Sequence, residues 1–98
     1  MILGRVVGTV WATRKDSQLV GMKFQIVQEV DLDYKLKSKF VVAVDSVGAG
    51  VGEVVLVAQG SSARQTEQTH NKPVDAVITA IVDKLDVSET VDIREGQL

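Results

Sequence analysis

Between Phe40 and Gly60 the chain reads FVVAVDSVGAGVGEVVLVAQG. Residues 40–45 and 53–59 are valine-rich, and a branched Cβ packs well on a pleated surface, so both segments read as strands. Gly48, Ala49, Gly50 and Gly52 between them mark a tight turn, which predicts that the two strands pair as a hairpin. Val41–Val44 and Val54–Ala58 are apolar on both parities. A strand buried on one face alternates; these do not, so both faces need a cover.

Upstream, Asp31 to Lys39 is charged and reads as a loop, with Tyr34 as an anchor. Residues 19–30 alternate, and the spacing places Val20, Met22, Phe24, Ile26 and Val30 on the core side, against Lys23, Gln25 and Glu29. Thr13 to Ser17 is a polar loop. Residues 2–11 form a first strand in which Gly4 and Gly8 predict a bend or the close approach of another backbone.

Downstream, Gly60 ends the fourth strand. Ser62 with Gln65 fits a capping box, predicting about two helical turns from Ala63 that stop before Pro73. Residues 74–85 make a fifth strand, with Val77–Val82 nearly apolar on both parities. Residues 87–93 alternate once more, as a sixth strand on an edge or against another subunit. Five or six short strands with one small helix between the fourth and fifth predict an all-β, small closed barrel. A small barrel has one interior, so its outward apolar set is expected to be covered by a neighbouring subunit.

The 98 residues make one domain, residues 1–98, with the tail 88–98 unassigned. A chain of this length buries only roughly 60–65 % of its unfolded surface, so stability alone is thin. There is no cysteine to add disulfides or thiolate metal sites, which fits a reducing cytosol. Hydrophobic residues make up 45 %, which excludes disorder as the default. The net charge of −2 gives no general attraction for nucleic acid or anionic lipid. The first residues lack the pattern of a signal peptide, and no apolar run approaches the ~20 residues of a membrane helix. A soluble intracellular protein is expected.

Catalytic and ligand-binding patterns fail on spacing. The glycine loop has Glu53 where a dinucleotide fingerprint needs its third glycine, and a strand follows instead of a helix. Ser61 and Ser62 lack the flanking glycines of a nucleophile elbow, and His70 is the sole imidazole. A helix cap is the simpler role for Ser62, and a carboxylate or a neighbouring subunit the expected partner of Arg64. His70 reads as an exposed loop residue. Asp45, Glu53, Asp75 and Asp83 flank apolar strands, where carboxylates cap turns or meet basic groups. No cofactor, no metal and no enzyme activity are expected. The competing reading is an OB-like module for single-stranded nucleic acid, with Arg14, Lys15, Lys35, Lys37 and Lys39 as its basic groups. It needs aromatic stacking platforms, and the chain has only Trp11, Phe24, Tyr34 and Phe40. A small-ligand binder or enzyme lacks a nucleophile–base pair.

Seven pieces occur in order: Gly4-Arg5-Val6-Val7-Gly8-Thr9-Val10 with Thr13-Arg14-Lys15; Leu19-Val20-Gly21-Met22-Lys23; Val42-Ala43-Val44-Asp45; Val47-Gly48-Ala49-Gly50-Val51-Gly52-Glu53 with Val55-Leu56-Val57; Gly60-Ser61-Ser62-Ala63-Arg64; Pro73-Val74-Asp75-Ala76; and Ile81-Val82-Asp83. In this the chain resembles the EutN/CcmL family of bacterial microcompartment vertex proteins, from its start to about Val87. The resemblance implies a five-stranded OB-like barrel joined as a cyclic homopentamer. It implies a structural, non-enzymatic role at the vertices of an icosahedral shell tiled by hexameric shell proteins, within the cytoplasm. No nucleic-acid or membrane partner is expected, and the resemblance turns the glycine loop into an assembly element. Arg14, Lys15, Gly48, Ala49, Gly50, Gly52, Glu53, Ser61, Ser62 and Arg64 are the interface candidates. The tail from Ser88 has no counterpart in the resemblance.

Overall fold

Val6, Val27, Ala43, Val55, Val57, Ala76 and Ile78 meet in one buried apolar cluster, and five strands wrap around it. The structure, a computed structural model, describes residues 1–67, 69–70 and 72–88. The strands are β1 (Ile2–Val10), β2 (Phe24–Val30), β3 (Leu36–Asp45), β4 (Val54–Gln59) and β5 (Ala76–Ile81). They close into a barrel in the order β1-β2-β3-β5-β4. All pairings are antiparallel except β3 with β5, which run parallel at Val44↔Val77 and Asp45↔Ile78. The all-β closed barrel read from the sequence, with the five strands and OB-like form that the resemblance implies, is the fold observed.

The predicted hairpin of residues 40–45 with 53–59 is not present: β3 pairs with β2 and β5, and β4 with β1 and β5. The connection between them explains why. The Asp45 carboxylate accepts the Val47, Gly48 and Ala49 N–H groups and turns the chain at the end of β3. The far end of the loop is then stitched to β1, with Gly52 N–H donating to the Val6 carbonyl at 2.8 Å and Val6 N–H to the Glu53 carbonyl at 3.0 Å. The chain therefore crosses the barrel mouth and β4 enters beside β1. Gly48 and Gly52 supply the positive φ this path requires, +75° and +94°.

The hairpin lies one connection earlier. Asp31 and Lys35 close a tight turn between β2 and β3, so residues 36–39, expected in a loop, belong to β3. Tyr34 anchors this turn: its hydroxyl accepts the Leu85 N–H at 3.1 Å. Gly4 is where two strands crowd. A Cβ there would overlap the Val27 side chain and stand 2.9 Å from the Gln28 carbonyl oxygen. Near Gly8 the β1–β2 register slips, as a bend requires.

The alternation expected over 19–30 is inverted. Residues 17–19 form a 3-10 turn and the strand starts only at Phe24. Gln25 and Val27 point inward and are fully buried, while Phe24 and Ile26 face outward. Val30 is buried beyond a register slip between Gln28 and Val30. The predicted two-turn helix is a single 3-10 segment, Gly60–Arg64. No side chain caps it, so the Ser62/Gln65 capping box is absent; Gln65 instead ends the turn, its N–H donating to the Ser62 carbonyl. The fifth strand is shorter than residues 74–85, and Val87 and Ser88 are not in a strand. The rest of the expected sixth strand, from residue 89, lies outside the described residues.

A second cluster sits on the outside of the barrel: Val44, Ala58 and Val77 from the strands, Ala63 from the 60–64 turn, and Val74. Leu19, Met22 and Phe24 lean on its rim. Thr69, fully buried, donates its hydroxyl to the Ala63 carbonyl and fixes the segment that closes this cluster. Part of the outward apolar set is thus covered by the chain itself, which corrects the expectation of a neighbouring subunit over all of it.

Candidate functional site

Among the described residues, one exposed apolar stripe runs along the outer face of β3 and its neighbours. Phe40 is 61 % exposed and Val42 49 %, both pointing outward with Leu36 farther along the same strand. Register places Ile26 of β2 beside Val42, and Gly8 of β1 beside Ile26. Val7, at the β1 irregularity, adds exposed apolar surface. Arg5 lies on the same outer side of β1, between Gln28 and Val54. Its Nε is buried without a hydrogen-bond partner among the described residues. A buried donor left unpaired is expensive. Sequence reasoning missed Arg5, Phe40 and Val42 as surface residues. The two-faced valine runs held the signal but not which face stays open.

The predicted interface residues fall into three places. Arg14 and Lys15 are exposed on the loop after β1, next to Trp11, which is 88 % exposed. This loop leaves β1 at the same barrel end as the glycine loop, because Val10, Phe24 and Val44 lie abreast. Gly48, Ala49, Gly50, Gly52 and Glu53 form that second loop. Ala49 is buried, whereas Val51 projects and is 66 % exposed. The Glu53 carboxylate accepts the Gly50 N–H at 2.7 Å, closing the loop on itself. Ser61, Ser62 and Arg64 lie on the outside, in the 60–64 turn. Arg64 donates to the Val74 carbonyl at 3.3 Å, not to a carboxylate. No hydrogen bond or ion pair among the described residues joins Arg14 or Lys15 to the glycine loop.

Among the described residues, the candidate catalytic side chains do not meet. Ser61, Ser62 and His70 are exposed, and neither serine bonds to His70 among the described residues. Asp45 is a turn cap, as expected for a strand-end carboxylate. No group of three or more His, Cys, Asp or Glu among the described residues could hold a metal ion. The described residues line surface grooves. One of about 460 Å³ is lined by Ile2, Glu29, Lys39, Phe40, Val41 and Gln59; one of about 200 Å³ opens beside Phe24, Val42 and Pro73. Lys37 lies between Glu29 and Asp31, at 3.7 and 3.8 Å, so the lysines of β3 do not form an unopposed basic track. Phe24 is committed to the outer cluster and the Tyr34 hydroxyl to Leu85, which leaves Trp11 and Phe40 as open aromatic faces. No helix among the described residues is long and apolar enough to cross a membrane.

Fold and surface together define a small OB-like closed barrel whose open features are an apolar outer stripe and two loops at one barrel end. The chain belongs to the EutN/CcmL family: the family model "Ethanolamine utilisation protein EutN/carboxysome" matches residues 1–83. It is 42 % identical over 87 residues to the carboxysome shell vertex protein CcmL of Gloeobacter violaceus, covering 89 % of this chain and 87 % of that one. The solved structure of Gloeobacter violaceus CcmL superposes with a TM-score of 0.84, over 89 % of this chain and 90 % of that one. The shell vertex protein PduN of Salmonella typhimurium is 45 % identical, over 87 % of this chain and 98 % of its own length. The solved GrpN, a pentameric microcompartment shell protein from Rhodospirillum rubrum, is 41 % identical with a TM-score of 0.82, over 90 % of this chain and all of that one.

Proposed function

We propose that this chain is a structural shell protein of a bacterial microcompartment, assembling as a cyclic homopentamer that closes shell vertices within the cytoplasm. The observation that carries the reading is the stripe of Phe40, Val42, Ile26 and Val7 on the outside of a barrel that is already closed. The barrel interior is packed with Val6, Val27, Ala43, Val55, Val57 and Ile78, and the exposed apolar surface of the outer face is where binding energy resides. Each fully buried Phe or Val contributes roughly 1.5–3 kcal/mol. The named relatives, vertex proteins and a pentameric shell protein, support the same reading. In this account the protein acts by geometry and not by catalysis. A sheet of hexamers lies flat, and a five-fold ring of wedge-shaped barrels introduces the curvature that closes it. Hexameric shell proteins are the outer partners, met through the exposed loop that carries Arg14 and Lys15. Co-expression with a hexameric shell protein tests this by electron microscopy. Closed shells are expected with the chain, and tubes or open sheets without it. Normal closed shells in its absence, together with a lost reaction that the purified chain restores, would end the reading.

A further inference from the structure

The glycine loop is held from beneath by buried and part-buried side chains. Gln25, on the inner face of β2, is fully buried. Its Nε2 donates to the Ala49 carbonyl at 2.8 Å and to Asp45 Oδ2 at 3.4 Å, and its Oε1 accepts from Thr9 Oγ1 at 2.8 Å. Asp45, 7 % exposed, accepts three loop N–H groups through Oδ1, at 3.0, 2.9 and 3.2 Å from Val47, Gly48 and Ala49. Both amide protons of Gln25 are therefore used, and one continuous network runs from β1 through β2 and β3 into the loop. Buried polar groups are an inefficient way to stabilise a barrel this small, because an apolar side chain fills the same volume without desolvation. What a satisfied network adds is a single arrangement of the segment it holds. The segment held here presents Val51 to solvent on a loop also closed by Gly50 and Glu53. An apolar knob on a rigid support binds without the ordering cost of a mobile loop.

We propose that Gln25 and Asp45 are positioning residues for assembly: they hold the Gly48–Gly52 loop in the one shape that a neighbouring copy of this chain meets. The proposal rests on the pentamer reading. Neither residue touches the neighbour; each acts through the loop backbone.

The test uses the full chain with Gln25→Leu, Asp45→Ala, Asp45→Asn and Thr9→Val. Two quantities are read in each: the concentration of half-dissociation, by sedimentation, and amide hydrogen exchange. Exchange is compared between the loop amides of Val47 to Ala49 and the barrel amides of Val27 and Val57. For Gln25→Leu the loop amides should exchange faster and half-dissociation should rise, each by roughly tenfold, the weight of one net hydrogen bond. Barrel amides should keep wild-type protection. Asp45→Asn retains an oxygen for the three N–H groups and should rescue most of what Asp45→Ala loses. Thr9→Val removes only the outermost bond and covers the case in which Gln25→Leu does not fold; it should give the same pattern, weaker by several fold. A loosened loop with wild-type assembly would overturn the proposal. So would assembly lost only in step with barrel exchange. A monomeric wild-type protein is a different failure, since it removes the pentamer reading itself.

Discussion

Gly50 and Gly52 sit two residues apart in one loop, and the structure assigns them opposite tolerances. Gly52 has φ +94°, a region that a side chain disfavours, and its N–H is bonded to Val6. An added Cβ would meet nothing within 4 Å, so the whole penalty of Gly52→Ala is backbone strain. That strain is about 1–2 kcal/mol. For a domain of this size it lowers Tm by roughly 5–15 °C. Gly50 is not in the left-handed region, and its Cβ would lie 3.5 Å from Glu53 Oε1, an ordinary contact. Gly50→Ala should leave the subunit unchanged, or stabilise it by up to about 1 kcal/mol through a less flexible unfolded chain. Thermal melts at a dilution where sedimentation shows single subunits isolate these effects. The same pair is then compared in the assembled state. Equal losses at the two positions in the single subunit would refute the loop geometry. Within one subunit the loop has room for a side chain at Gly50. If Gly50→Val abolishes assembly while the barrel melts normally, a neighbour is what excludes the side chain.

Three further outcomes follow from particular contacts. Gly4→Ala forces a Cβ onto Val27 and the Gln28 carbonyl; it should cost about 1–3 kcal/mol in urea unfolding, and an unchanged midpoint would contradict the β1–β2 spacing. Ser62→Ala should move Tm by no more than the ordinary surface effect, within about 0.5 kcal/mol, because Ser62 is exposed and caps nothing; a loss of 1 kcal/mol or more would restore the capping role. Phe40→Ser should leave subunit unfolding nearly unchanged, since the ring is 61 % exposed, while weakening assembly by tenfold or more as measured by sedimentation; wild-type assembly would remove Phe40 from the contact.

Much of this molecule is legible in local sequence, and the unreadable parts share a cause. Gly4 announces a close approach because only a missing Cβ permits it. Asp45 announces a turn because a short carboxylate at a strand end reaches the next N–H groups. Both depend on neighbours a few residues away or on one crossing strand. The partners of β3 and β4 do not. A glycine turn between two strands fits a hairpin locally, and only the bonds to Val6 in β1 divert it. Gln25 misled the parity of β2 for a similar reason. A polar residue belongs outside unless distant groups satisfy it, and Thr9, Asp45 and Ala49 come from three other segments. The outward valines carried a real signal of needing cover, but Ala63 and Val74 cover Val44, Ala58 and Val77 from within the chain. Among the described residues, the stripe through Phe40 and Val42 is not covered in this way.

The central claim is that five copies of this barrel form a closed ring. Native mass spectrometry of the wild-type protein at micromolar concentration tests it most directly. The account predicts one dominant species of five chains, about 53 kDa from a chain of 10.6 kDa, with no series of larger open assemblies. A single 10.6 kDa chain at that concentration would contradict assembly, and a ring of six would contradict the role at a five-fold vertex.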